Sequence, residues 1–175
     1  MEMLSIGELI KKDGLRIVLV AGAPSPWGQA AKAMMEYKGL EFSAGHLIPG
    51  DTNKELVAWS GVNSGPVVAW NDEKPIDRWN DILFLLERMA PSRPLVPEDG
   101  QQRADLFGMA HEINGELGLG WNRRLLMFAP ILGEHPAGFG SAMIPFCYKI
   151  CGIKTRNHLT IVDEFANIHR RNVFD

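Results

Sequence analysis

The run Leu15-Arg16-Ile17-Val18-Leu19-Val20 constrains the chain more than any other stretch. A near-continuous series of β-branched and leucine side chains offers no polar face to water. Such a strand is buried on both faces, as in a parallel or mixed sheet under helices. It ends at a Gly/Pro loop, Ala21 to Pro26, in which Ser25 and Pro26 take the places of an N-cap and a first-turn proline. From Trp27 to Lys38 the spacing of Ala30, Ala33, Met34 and Tyr37 predicts a helix, with Gly39 as its stop. A second strand is expected over Glu41 to Leu47. Right-handed crossover then lays the helix on one face of the sheet.

Further along, residues 51–60 predict a short helix with Trp59 as apolar anchor. Val67 to Trp70, the polar turn Asn71 to Lys74, and Pro75-Ile76 read as a hairpin. It leads into a helix from about Arg78 to Met89, with Trp79, Ile82, Leu83, Leu86 and Met89 on one face and Asp77 and Pro91 as its limits. Residues 91–100 hold three prolines and no periodicity, which marks a linker. The expected organisation is an N-terminal extension over 1–14, an α/β domain over 15–90, and an all-helical domain over 101–175. The first helix of that last domain, carrying Leu106, Phe107 and Met109, is expected to dock on the helix of Ile82 and Leu86 and to break near Gly118 and Gly120. Glu134 to Ser141 reads as a loop, and Met143 to Asp175 as a weaker helical pattern.

Composition narrows the function. At 175 residues and 46% hydrophobic content the chain can bury a core without metal or disulfide staples. A net charge of −3 leaves no positive field for phosphates, so no nucleic-acid partner is expected. Cys147 and Cys151 have neither redox nor zinc-pair spacing, which fits a reducing compartment. No apolar run approaches the roughly 18 residues of a membrane span, and the start lacks the pattern of a secretory leader. A soluble, cytoplasmic protein with no membrane partner is expected. His111-Glu112 lacks the second histidine of a zinc helix, and His46, His135, His158 and His169 are scattered, so no metal is expected. The glycines from Gly22 to Gly28 are too widely spaced for a phosphate loop, and Gly118-Leu119-Gly120 follows a helix, so no nucleotide is expected either.

Several short motifs occur in an order that resembles the cytosolic glutathione transferases. Ser25-Pro26-Trp27-Gly28 with Lys38-Gly39-Leu40 is similar to the active-site stretch of the serine-type enzymes. Gly65-Pro66-Val67-Val68 resembles the segment carrying the family's cis-proline. Pro75-Ile76 with Asn80 and Ile82-Leu83 resembles the start of its third helix, and Leu95-Val96-Pro97 with Arg103 its domain junction. The resemblance covers roughly residues 15–128. It implies a thioredoxin-like first domain, with a mixed four-stranded sheet and helices, followed by a helical domain shorter than the family's.

The resemblance also implies chemistry. Glutathione would be the substrate, joined as its thiolate to a small hydrophobic electrophile, in a protein that pairs as a homodimer. Ser25 would hydrogen-bond the thiolate, and the backbone at Gly65, before Pro66, would meet the cysteinyl unit. Arg78 and Trp79 stand where the family has Glu/Gln-Ser for the γ-glutamyl carboxylate. Trp79 has no hydroxyl, so its backbone N–H and the Arg78 guanidinium are left for that role. Trp27 and Trp121 fall on the second-substrate side. Two other readings stand beside this one. Ser25 is also explained as a plain N-cap and Trp79 as a pocket filler, which would make the chain a non-catalytic binding protein on the same fold. A thiol reductase is disfavoured, because neither Ser25 nor Gly28 is cysteine.

Overall fold

The computed structural model describes residues 3–22, 25–115 and 118–124. Met1–Asn122 form one compact unit and Arg123–Asp175 a second, and all elements named here belong to the first. Cys147, Cys151 and the segments read as loop and helix from Glu134 onward lie outside the described residues.

The chain runs β1 (Met3–Leu4), α1 (Ile6–Ile10), β2 (Leu15–Val20), α2 (Pro26–Tyr37), β3 (Phe42–Leu47), α3 (Lys54–Ser60), β4 (Val67–Trp70), α4 (Trp79–Met89) and α5 (Gly100–Asn114). The sheet order is β1-β3-β2-β4. β2 pairs in parallel with β3, Leu15 opposite Phe42 to Val20 opposite Leu47, and antiparallel with β4, Leu15 opposite Trp70 to Val18 opposite Val67.

The apolar run becomes the inner strand because it feeds two cores at once. Side chains alternate across a strand. Leu15, Ile17 and Leu19 pack with Ala31 and Met35 of α2 and with Ile82, Leu85 and Leu86 of α4. Val18 packs on the opposite face with Leu9, Leu47, Leu56 and Val67. Arg16 shares that second face and is buried at 4% exposure. Its guanidinium donates to the Ile10 carbonyl at 2.8 Å and to the Asn71 carbonyl, and lies 5.4 Å from the Trp59 ring centre. Two carbonyls and an indole face thus receive a cation that makes no ion pair among the described residues.

Residues 3–10, placed by the sequence reading in an extension ahead of the domain, are integral to the sheet. Met3 and Leu4 pair in parallel with Ala44 and Gly45. Ser5 and Glu8 form a reciprocal capping box that starts α1, whose Leu9 is fully buried. A two-residue strand and a five-residue helix are too short to show a period, so this contribution was invisible in the pattern. The expected hairpin is also shorter than predicted, since Ile76 makes a single bridge to Val68. α4 begins one residue later than its Asp77 signal implied. Arg78 is the N-cap, and no side chain caps it.

Between α4 and α5 the chain follows the proline-rich segment without helix or strand. α5 docks through Phe107, whose ring centre lies 6.2 Å from Trp79 and 6.0 Å from Phe84. These partners lie on the expected helix, whose Ile82 and Leu86 face the sheet, and Met109 is 67% exposed. α5 ends at Asn114, Gly115 and Gly118 are not helical, and Leu119 is again helical, close to the predicted break.

The far ends of α2 and α4 are joined by a buried ion pair. The Lys38 side chain is wholly inaccessible, and its Nζ lies 2.7 Å from Glu87 Oε1. It also donates to the Ala90 and Arg93 carbonyls at 3.0 and 2.9 Å, while Glu87 Oε1 accepts the Leu95 N–H at 2.9 Å. Burial raises the Glu87 carboxyl pKa, but the Lys38 hydrogen bond, the Leu95 N–H and the Lys38 charge together bring it below its ordinary 4.5. The folded protein therefore gains stability from an ionised Glu87 above that ordinary value and loses it as pH falls through the lowered one. Replacing Glu87 by alanine strands a buried cation and should cost about 3–5 kcal/mol. In urea titrations Glu87→Gln should flatten the acid limb of the stability profile. An acid limb identical to wild type would show that this pair does not govern it.

Candidate active site

The sheet register brings three separate segments to one end of β2. Val67 lies opposite Val18, so Gly65-Pro66 falls beside the strand's last residues. The Ala21 N–H donates to the Leu47 carbonyl at 2.9 Å and holds the exit from the strand, after which the chain reaches Ser25 and α2. Ile76 runs antiparallel to β4, so the chain leaving it heads for the same end, where Arg78 and Trp79 open α4. Ser25, Gly65-Pro66 and Arg78-Trp79 therefore share one edge of the fold.

Ser25 is the N-cap of α2, with extended backbone at φ −82° and ψ 130°, and is 3% exposed. Its Oγ accepts the Gly28 N–H at 3.5 Å, a long contact. A hydroxyl that accepts one hydrogen bond still has its own proton to donate. The cap role and a donor role are thus compatible in one side chain. Gly28 is needed for the close approach of α2 to β2, since a Cβ there would stand 3.1 Å from Leu19 Cδ2.

The Gly65-Pro66 bond is cis, as the motif implied. A Cβ on Gly65 would meet Leu47 Cδ2 at 3.1 Å and the Val18 carbonyl at 3.3 Å. A side chain here would have to displace those neighbours by a few tenths of an ångström. The crowding follows from packing against β2 and β3, which the local sequence does not reveal.

Trp79 turns its indole onto α5. Its ring meets His111 edge to face at 5.1 Å and Phe107 at 6.2 Å, and His111 Nδ1 is 2.7 Å from the Phe107 carbonyl. Among the described residues no side chain caps the first turn of α4, which also carries Asp81, and the N–H groups of such a turn suit an anion. Arg78 is exposed beside them. The pairing of Trp79 with α5 was missed by sequence reading, although Phe107 and His111 have the four-residue spacing that places two rings on one helix face.

Trp27 and Trp121 are brought together, with ring centres 5.3 Å apart. Trp27 Nε1 also donates to the Asn114 carbonyl at 2.5 Å. Segments before and after the glycine break thus meet the first turn of α2. An open cleft of about 350 Å³ between Trp70, Ile76, Phe84 and Arg88 contains none of these residues. Among the described residues no cluster of three or more His, Cys, Asp or Glu is arranged to hold a metal ion, and no helix is long and apolar enough to cross a membrane.

Comparison with solved structures gives this arrangement a context. A Tau class glutathione S-transferase from mango, Mangifera indica, superposes with a TM-score of 0.54 at 18% identity, over 88% of this chain and 58% of that one. A glutathione S-transferase from Methylobacillus flagellatus with GSH bound gives 0.55 at 13% identity, over 90% of this chain and 68% of that one. The chain has the glutathione S-transferase fold. A beta-etherase from Sphingobium sp. strain SYK-6 shares it, with a TM-score of 0.61 at 15% identity over 88% of this chain and 68% of that one. The chain spans 58% to 68% of the length of these three proteins. No family model and no curated protein sequence matches it. The likeness to the glutathione S-transferase fold thus rests on backbone architecture, with a thioredoxin-like sheet and helices as its first part.

The crowding at Gly65 can be measured. Gly65→Val should destabilise the protein by about 1–3 kcal/mol through overpacking against Leu47. In a double-mutant cycle by urea denaturation, Leu47→Val should cost less in the Gly65→Val background than in wild type. Strict additivity would show that the two sites do not press on each other.

Proposed function

We propose that this chain is a glutathione transferase-like protein that joins the glutathione thiolate to a small hydrophobic electrophile. What supports the reading is that the strand directions bring Ser25, Gly65-Pro66 and the start of α4, which no side chain caps among the described residues, toward the same end of the sheet. In this reading the Ser25 hydroxyl donates to the glutathione sulfur. The Gly65 backbone pairs with the cysteinyl unit as a further strand would. Arg78 and the Trp79 N–H receive the γ-glutamyl carboxylate. Trp27 and Trp121 stand on the side of the second substrate. The reaction would proceed in the cytoplasm, in a homodimer, with neither metal nor nucleotide taking part.

The chemistry is one of anion stabilisation. A thiol with a pKa near ~8.5 is only a few per cent ionised at neutral pH, and lowering that value by ~2 units takes about 2.7 kcal/mol. A hydroxyl bond to a charged sulfur supplies roughly 1.5–3 kcal/mol, and a helix N-terminus about 0.3–1. Ser25, at the N-terminus of α2, combines both. The thiolate lone pair then attacks the electrophilic carbon. A carbon–sulfur bond forms, and the displaced electron pair leaves with the departing group or is protonated after addition. Mutually packed Trp27 and Trp121 give that carbon an apolar neighbour, which favours a hydrophobic substrate.

One observation favours the second reading, a binding protein without turnover. Trp79 stands where the family has a serine hydroxyl, and its indole is committed to α5. Glutathione titration and conjugation assays on wild type, Ser25→Ala and Trp79→Ser distinguish the two. An enzyme should lose about ten- to a hundred-fold in conjugation rate on Ser25→Ala, with a smaller change in glutathione affinity. A protein whose carboxylate site is closed by Trp79 should bind glutathione only after Trp79→Ser. An active wild type indifferent to Ser25→Ala would defeat the mechanism.

A further inference from the structure

The segment that leads into Gly65 is pinned by a side-chain network remote from the chemistry. Asn53 has left-handed backbone, φ 41° and ψ 50°, a conformation that asparagine adopts more readily than most residues. It stands at the N-cap of α3 but makes no capping bond there. Its amide instead reads the loop after β3. Oδ1 accepts the Ile48 N–H at 3.0 Å, and Nδ2 reaches the Ile48 and Asp51 carbonyls at 2.9 and 3.1 Å.

The same Nδ2 also meets Asn63 Oδ1 at 2.8 Å, and Asn63 Nδ2 donates to the Asp51 carbonyl at 2.9 Å. Asn63 is therefore held at both ends of its amide, against a side chain and a backbone group that belong to a different loop. Only Ser64 separates it from Gly65. Nearer α3, Ser60 Oγ accepts the Val62 N–H at 3.3 Å and donates to the Leu56 carbonyl at 2.7 Å. Gly65 itself has no side chain with which to hold its backbone, and glycine is the residue with most conformational freedom to lose. The restraint on its N–H and C=O has to come from its neighbours.

We infer that Asn63, seated on Asn53, is a positioning residue that fixes the Gly65 backbone for the cysteinyl unit of bound glutathione. The inference rests on the glutathione reading proposed above. Asn63 does not touch the ligand in it. Its two bonds set the path of the segment 63–65, and loosening them leaves Gly65 to be ordered at the expense of binding.

The test is glutathione titration of wild type, Asn63→Ala and Asn63→Asp, with thermal unfolding and amide hydrogen exchange of the unliganded proteins. Asn63→Ala should weaken glutathione binding by about three- to ten-fold, the effect of losing one ordinary hydrogen bond. It should speed exchange at Ser64 and Gly65 while leaving β2 and β3 and the melting midpoint almost unchanged. Asn63→Asp keeps the acceptor for Asn53 and should fall between the two. Wild-type affinity in Asn63→Ala, alongside a wild type that binds, would overturn the inference and leave the proposed function standing. Affinity and melting midpoint falling together, unrestored by Asn63→Asp, would assign Asn63 to stability and overturn it as well. A wild type that does not bind glutathione would remove both.

Discussion

The structure depends on the burial of β2 on both faces and its pairing along both edges. Each apolar side chain in Leu15–Val20 has a helix or strand side chain against it, so neither sheet face can be exposed without opening a core. Full burial of one such side chain is worth about 1.5–3 kcal/mol, and several residues of this strand reach it. Arg16 is the one polar side chain in that run. Its placement between the end of α1 and the turn after β4 satisfies part of its hydrogen bonding through backbone carbonyls. That arrangement makes β1 and α1 part of the domain, since the Ile10 carbonyl is one of the groups receiving the cation.

From the same strand follows the location of the candidate site. The C-terminal end of β2, the entry to β4 and the start of α4 coincide because one neighbouring strand is parallel and the next antiparallel. Two helices begin there and present N–H groups and the positive ends of their dipoles to whatever occupies the edge. At their other ends, Lys38 and Glu87 join the termini of α2 and α4 to the proline-rich segment after α4. A shift of either helix along its axis would have to break that buried pair. The spacing of Ser25 and Trp79 is therefore supported at a distance from the site.

Trp79 marks a change in what the α4 terminus does with its side chain. A serine in that position would turn its hydroxyl to a ligand. The indole instead bridges to Phe107 and His111, so α5 is held against α4 by aromatic contact. In the proposed enzyme reading, carboxylate recognition would fall to backbone N–H groups and to Arg78, because the side chain at 79 is turned to α5.

Much of the fold was legible in the sequence. β2, α2, β3 and the irregular segment between α4 and α5 were readable because a long apolar run, a helical period and clustered prolines are local signals. The Ser25 cap and Gly65-Pro66 were legible as motifs for the same reason. Tertiary structure alone decided that Met3–Leu4 completes the sheet, since two residues carry no period and acquire a partner only when β3 is beside them. It also decided that a side chain at 65 would be crowded, because the nearest atoms come from Val18 and Leu47. The clasp of Asn63 on Asn53 and the turn of Trp79 toward α5 join residues 10 and 28 or more positions apart. Sequence determines which backbone states each segment prefers. The partners of a side chain at such separations are set by how the segments pack, and no local pattern records that.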